Sequence, residues 1–143
     1  MKKPISLGIE STAHTFSICL IDGAGKLIKE NRDMYTKETG GIIPIEAAEH
    51  HKKIKDKSLK DLLEKTKITL KDIDFITVAS GPGLAPCLNV GVTFAKELAI
   101  KHKKPIIGVN HLCAHLEIGK FLTRAKNPVF VFVSGANTQI IAH

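Results

Sequence analysis

An α/β fold with a mixed five-stranded sheet flanked by helices follows from three features of the sequence. Apolar or alternating runs at 5–10 and 15–21, and a third run to about residue 35, are separated by turn residues and read as an antiparallel meander. Two further apolar runs, 75–79 and 106–109, are each followed by a turn and a helical pattern, the order that builds parallel strands. A last strand, polar turn and strand, 128–142, repeats the character of the first pair.

The chain has 143 residues, of which 43% are hydrophobic, enough for one domain with a core. Disordered and fibrous classes are thereby excluded. Net charge is +7, and all but two of the 21 basic residues are lysine, the exceptions being Arg32 and Arg124. Lysine excess suits a solvated surface, or weak salt-sensitive contact with phosphates, better than base reading by arginine. Cys19, Cys87 and Cys113 have no CxxC spacing and read as buried small hydrophobes in a reducing compartment. No leader and no apolar run of membrane-spanning length is legible, so the expected location is the cytoplasm, with no membrane partner.

Taking the elements in order, Glu10, Ser11, Thr12, Ala13 and His14 form the polar tip of the first hairpin. Hydroxyls and amides at such a tip suit phosphate, although any hairpin tip is rich in serine and threonine. Asp22-Gly23-Ala24-Gly25 makes the second turn. Pro44 is placed for the first turn of a helix over 44–65. Ala47, His51, Ile54, Ser58 and Leu62 give that helix one mainly apolar stripe, with lysines opposite. Histidines 50, 51 and 102 read as surface or boundary residues.

Ser80-Gly81-Pro82-Gly83 then links a strand to a helix over 87–102, letting main-chain amides approach a ligand without matching a P-loop. Gly91 inside that helix implies close packing, because glycine there costs about 1 kcal/mol against alanine.

After the expected buried strand 106–109, Asn110 is a suitable N-cap for a helix reaching about residue 123. His111 and His115 lie four residues apart on it, so both imidazoles share a face, which is how a divalent metal site begins. Leu112 stands where a zincin would carry its glutamate, so this is not a zincin helix, and the general base for peptide hydrolysis is missing from its place. A further buried strand, 128–133, ends in Ser134-Gly135-Ala136-Asn137-Thr138, a turn whose hydroxyls and amides again suit phosphate. The strand and helix order fits a ribonuclease-H-like domain over 1–126. Residues 127–143 read as the first hairpin of a second lobe whose remainder is absent.

Six stretches carry a specific resemblance: Leu7-Gly8-Ile9-Glu10, Gly40-Gly41-Ile42-Ile43-Pro44, Ser80-Gly81-Pro82-Gly83-Leu84, Val90-Gly91 with Ala95-Lys96, residues 108–115, and residues 133–139. Together they closely resemble the universal tRNA threonylcarbamoyladenosine synthase family, best its archaeal and eukaryotic branch, the catalytic subunit of the KEOPS complex. The resemblance covers the whole chain.

It implies an actin-like ATPase fold and transfer of threonylcarbamoyl from threonylcarbamoyl-adenylate to the exocyclic amine of the adenosine beside the tRNA anticodon. It also implies one divalent metal, iron or zinc, at His111 and His115. An adenine nucleotide or the adenylate would lie at Ser134, Gly135, Asn137 and Thr138, with Glu10, Ser11 and Thr12 near the reacting group. Implied partners are tRNA, the small dimerising KEOPS subunit, docking through Ala47, Ile54 and Leu62, and the KEOPS kinase subunit through the full-length protein.

The sequence departs from the archaeal pattern at several positions. Phe132 stands where tyrosine is common, Ile43 for histidine, Ile45 and Asn89 for arginine, and Ala85 and Ala136 for glycine. Members run to roughly twice this length, and the missing half carries the carboxylate metal ligand. The expectation is therefore weak metal binding and no turnover by this chain alone. A catalytically inactive docking lobe for the small subunit is the alternative. A sugar-kinase-type or chaperone-type ATPase lobe is a third reading, against which the paired histidines argue.

Overall fold

The protein is described from a computed structural model covering residues 3–134 and 137–142, with the side chains of Ser134 and Asn137 outside the description. It divides into two compact units, Met1–His111 and Leu112–His143.

The first unit holds β1 (Ile5–Glu10), β2 (Thr15–Asp22), β3 (Leu27–Met34), α1 (Pro44–Thr66), β4 (Phe75–Gly81), α2 (Ala85–His102) and β5 (Ile106–Asn110). Among the described residues these strands form one five-stranded sheet in the order β3-β2-β1-β4-β5. Short turns make the first three strands antiparallel: Asp22 closes its turn by accepting the Ala24 and Lys26 amides, each at 2.9 Å. The helical crossovers α1 and α2 make β1, β4 and β5 parallel. This is the ribonuclease-H-like sheet expected of an actin-like ATPase lobe.

Alternation sets the core. Phe16, Ile18 and Leu20 of β2 and Leu7 of β1 are fully buried, in one cluster with Leu59 and Leu62 of α1 and Phe94 and Leu98 of α2. Pro44 occupies the first turn of α1, and Lys67 ends that helix in the left-handed region at φ 56°. Gly91 has the packing reason its position implies: a Cβ there would lie 2.2 Å from the Ser11 hydroxyl oxygen.

Four expectations are corrected. Ala47 and Leu62 are fully buried, so the stripe they share holds α1 to the sheet and presents no surface to another chain; Ile54 is half-buried against the same core. His51 is fully buried too. The strand β5 is open instead of buried, with Ile106 and Ile107 40% and 48% exposed, because it is the sheet's edge. Cys113 is exposed, whereas Cys87 is buried and Cys19 intermediate.

Helix α3 (His111–Thr123) begins at the last residue of the first unit and runs into the second, where β6 (Val129–Ser134) and β7 (Asn137–Ala142) pair antiparallel. The helix lies close to the hairpin: a Cβ on Gly119 would sit 3.0 Å from the Phe130 ring, and the rings of His115 and Phe132 are 5.6 Å apart. The strand expected to be buried, β6, is covered on one face only, since Val129, Val131 and Val133 are 66%, 65% and 71% exposed. Among the described residues no helix is long and apolar enough to cross a membrane.

Candidate functional site

The parallel strands β1, β4 and β5 end at one edge of the sheet, the place where open α/β sheets bind ligands. Glu10 is the last residue of β1 and Asn110 the last of β5, so the 11–14 loop and His111 both leave from that edge. One Glu10 carboxylate oxygen accepts the Thr12 amide at 2.7 Å and also the Thr12 hydroxyl. The other lies 3.5 Å from His111 Nδ1, and the Thr12 hydroxyl oxygen lies 3.4 Å from the same nitrogen. Both separations exceed the ~2.7–3.2 Å of a good hydrogen bond, so Glu10 and Thr12, bonded to each other, stand beside His111 at contact distance.

A carboxylate and a hydroxyl standing beside Nδ1 of an imidazole leave Nε2 as the ring nitrogen turned away from them. That arrangement suits His111 to hold a divalent metal through Nε2. His115 follows one helical turn later on α3. Among the described residues no group of three or more histidine, cysteine or carboxylate side chains gathers around a common point. The donors present therefore fit part of a site, two imidazoles where zinc usually takes three or four protein ligands.

Ser11 behaves differently from its neighbours. It is fully buried, and its hydroxyl donates to the Cys87 carbonyl at 3.0 Å, which ties the loop to α2 and leaves no oxygen facing a ligand. Burial pushes the Cys87 thiol above its ordinary value, in keeping with an inert side chain at that contact. The loop is tied at two more points: the Leu84 amide donates to Thr12 O at 2.7 Å, and the Tyr35 amide to His14 O at 2.8 Å. Gly83 permits the first of these, since a Cβ there would lie 2.6 Å from Thr12 O.

Of the second hairpin, Thr138 is exposed on β7 and pairs with Val133. Ser134 and Asn137 face each other in the ladder, while Gly135 lies outside the described residues. A groove of about 400 Å³ runs between α1 and α2, lined among others by Ile45, Ala48, Val90, Thr93 and Phe94. Ala48, Val90 and Phe94 are buried at its floor, and Ile45 is exposed at its rim, beside the stripe that sequence periodicity marks.

The family model described as "TsaD: tRNA N6-adenosine threonylcarbamoyltransferase" matches residues 26–143. A tRNA N6-adenosine threonylcarbamoyltransferase of Thermofilum pendens is 46% identical over 94% of this chain and 40% of its own length. One of Nanoarchaeum equitans is 51% identical over 95% of this chain and 43% of its own. The chain thus spans about two-fifths of the length of these relatives. Among solved structures, YeaZ from Pseudomonas aeruginosa superposes with a TM-score of 0.68 over 96% of this chain and 64% of its own, at 13% identity, a likeness of fold.

Proposed function

Because the chain belongs to the TsaD family, we propose that it supplies the amino-terminal lobe of a tRNA N6-adenosine threonylcarbamoyltransferase. The reaction in this reading moves threonylcarbamoyl from threonylcarbamoyl-adenylate to the exocyclic amine of the adenosine next to the anticodon, in the cytoplasm. The observation that carries it is the convergence of Glu10, Thr12 and His111 at the carboxyl ends of β1 and β5.

His111 and His115 would hold a divalent metal, iron or zinc, together with ligands from elsewhere in the longer protein. When bound, the metal supplies Lewis-acid polarisation of an acyl or phosphoryl oxygen. Glu10 and Thr12 orient His111 from its Nδ1 side. Glu10 also keeps 36% side-chain exposure, so it serves His111 without being sealed from the open end of the sheet. Ser11 acts by tethering the loop. Ser134, Gly135, Asn137 and Thr138 would cradle the adenylate, and 127–143 would begin the second lobe of a two-lobed clamp.

The test is threonylcarbamoylation of tRNA by this chain given threonylcarbamoyl-adenylate and a separately expressed carboxy-terminal lobe. Activity with both lobes, absent with either alone and strongly reduced but measurable in His111→Ala, is expected. Activity that stays at the parent level in His111→Ala would refute the reading.

A second reading, a docking lobe for the small dimerising KEOPS subunit, is favoured by the groove between α1 and α2 and by Ile45, 69% exposed at its rim. It assigns docking to residues that line the groove, in place of Ala47, Ile54 and Leu62. Co-elution with that subunit, weakened by Ile45→Asp, is the expected result. The kinase subunit would join through the full-length protein.

A further inference from the structure

The 10–14 loop has a fourth tether, and it comes from a side chain that the proposed reaction does not use. His51 lies on α1, fully buried, with its ring 5.8 Å from that of Phe16. Its Nε2 is 2.8 Å from the carbonyl oxygen of Ala13, thirty-eight residues earlier. A carbonyl only accepts, so Nε2 must carry the hydrogen. The opposite nitrogen, Nδ1, is buried and has no hydrogen-bond partner among the described residues. An imidazole filling an apolar slot would give no reason to keep a polar ring there with one nitrogen unpaired. The Ala13 contact supplies one, because it satisfies a loop carbonyl that no strand ladder reaches.

Three consecutive carbonyls of the loop are thereby taken by three different elements. Thr12 O accepts from Leu84 at the start of α2, Ala13 O from His51 in α1, and His14 O from Tyr35 after β3. Of these donors only His51 is a side chain, so it alone can be removed by substitution without touching the backbone.

We infer that His51 is a positioning residue: its Nε2–H, donated from α1 to the Ala13 carbonyl, holds the loop in the conformation that sets Glu10 and Thr12 beside His111. The inference rests on the proposed function for the chemical role of Glu10 and Thr12. Its test reads loop order alone, so failure of the inference and failure of the functional reading are distinguishable.

The experiment is amide hydrogen exchange on the full chain, comparing the parent with His51→Leu, His51→Gln and His51→Asn. Leucine keeps the buried volume and removes the donor. Glutamine returns an amide donor at the reach of Nε2, and asparagine carries one that stops near Nδ1. In His51→Leu the Thr12, Leu84 and Tyr35 amides should exchange about tenfold faster relative to those of β1 and β4, and His51→Gln should return them to within about threefold of the parent. Nitrogen chemical shifts of the parent should show the neutral Nε2–H tautomer. Should the leucine variant not fold, the amide pair decides: a parent-like glutamine variant beside a loosened asparagine variant supports the inference, and equal behaviour of the two overturns it. Loop amides that keep step with the core in His51→Leu, or an Nδ1–H tautomer in the parent, would overturn it as well.

Discussion

Two strand-turn-strand units of similar character meet different fates in this chain. In the first, β1 and β2 lie within the sheet, and Phe16, Ile18 and Leu20 are fully buried under α1 and α2. In the second, β6 shows the same alternation, with Phe130 and Phe132 on the face towards α3 and Val129, Val131 and Val133 about two-thirds exposed. Alternation of period two thus specifies a strand and its two faces. Whether a face is buried depends on a covering layer that the strand's own sequence does not encode.

The sharpest way to break this comparison is to delete side chains at matched positions. Phe16→Ala should cost about 3–5 kcal/mol, the usual range for emptying a packed aromatic site. Denaturant unfolding measures it, and a loss below about 1 kcal/mol would mean that β2 is not the centre of the core.

Gly91→Ala comes next, at about 1–3 kcal/mol from overpacking, because its new Cβ would meet the Ser11 hydroxyl. Combining it with Ser11→Ala should recover part of that loss, whereas additive losses would place the strain elsewhere.

A smaller effect is expected from pH. Burial, the first cause, holds the His51 imidazole below its ordinary value of 6.5; the Ala13 carbonyl and Asp33 oppose the shift, and His50 and His14 add to it. The unfolded chain therefore binds a proton near pH 6.5 that the native state refuses. This contribution to stability is full above pH 6.5 and is lost as pH falls towards the lower folded value. His51→Gln should flatten that part of the stability curve, and an unchanged curve would contradict the assignment.

The smallest expected effect is Val131→Ala, within about 0.5 kcal/mol, because the side chain is 65% exposed. A loss approaching that of Phe16→Ala would show that something covers this face in solution.

Element order and the parallel crossovers were legible, because hydrophobic period, turn residues and Pro44 all act locally. The His111 and His115 pair was legible for the same reason: spacing on a helix is a local property. What remained hidden depends on partners distant in sequence. The α1 stripe of Ala47, His51, Ile54 and Leu62 reads as an apolar face, but one face can be used once. The sheet takes it, so Ala47 and Leu62 keep no surface for a partner. His51 reads as a boundary residue because its hydrogen-bond acceptor is Ala13, in another element. Ser11 reads as a ligand hydroxyl because its true partner, the Cys87 carbonyl, is seventy-six residues away. Glu10 and Thr12 were legible as hairpin-tip residues, while their approach to His111 required the sheet order.

The central claim is that Glu10 and His111 act as one unit at the edge where β1 and β5 end. The most direct measurement is a double-mutant cycle in the two-lobe transfer assay, using Glu10→Gln, His111→Ala and the pair. If the carboxylate works through the imidazole, the double variant should be no slower than His111→Ala alone. Independent losses that multiply in the double variant would contradict the account.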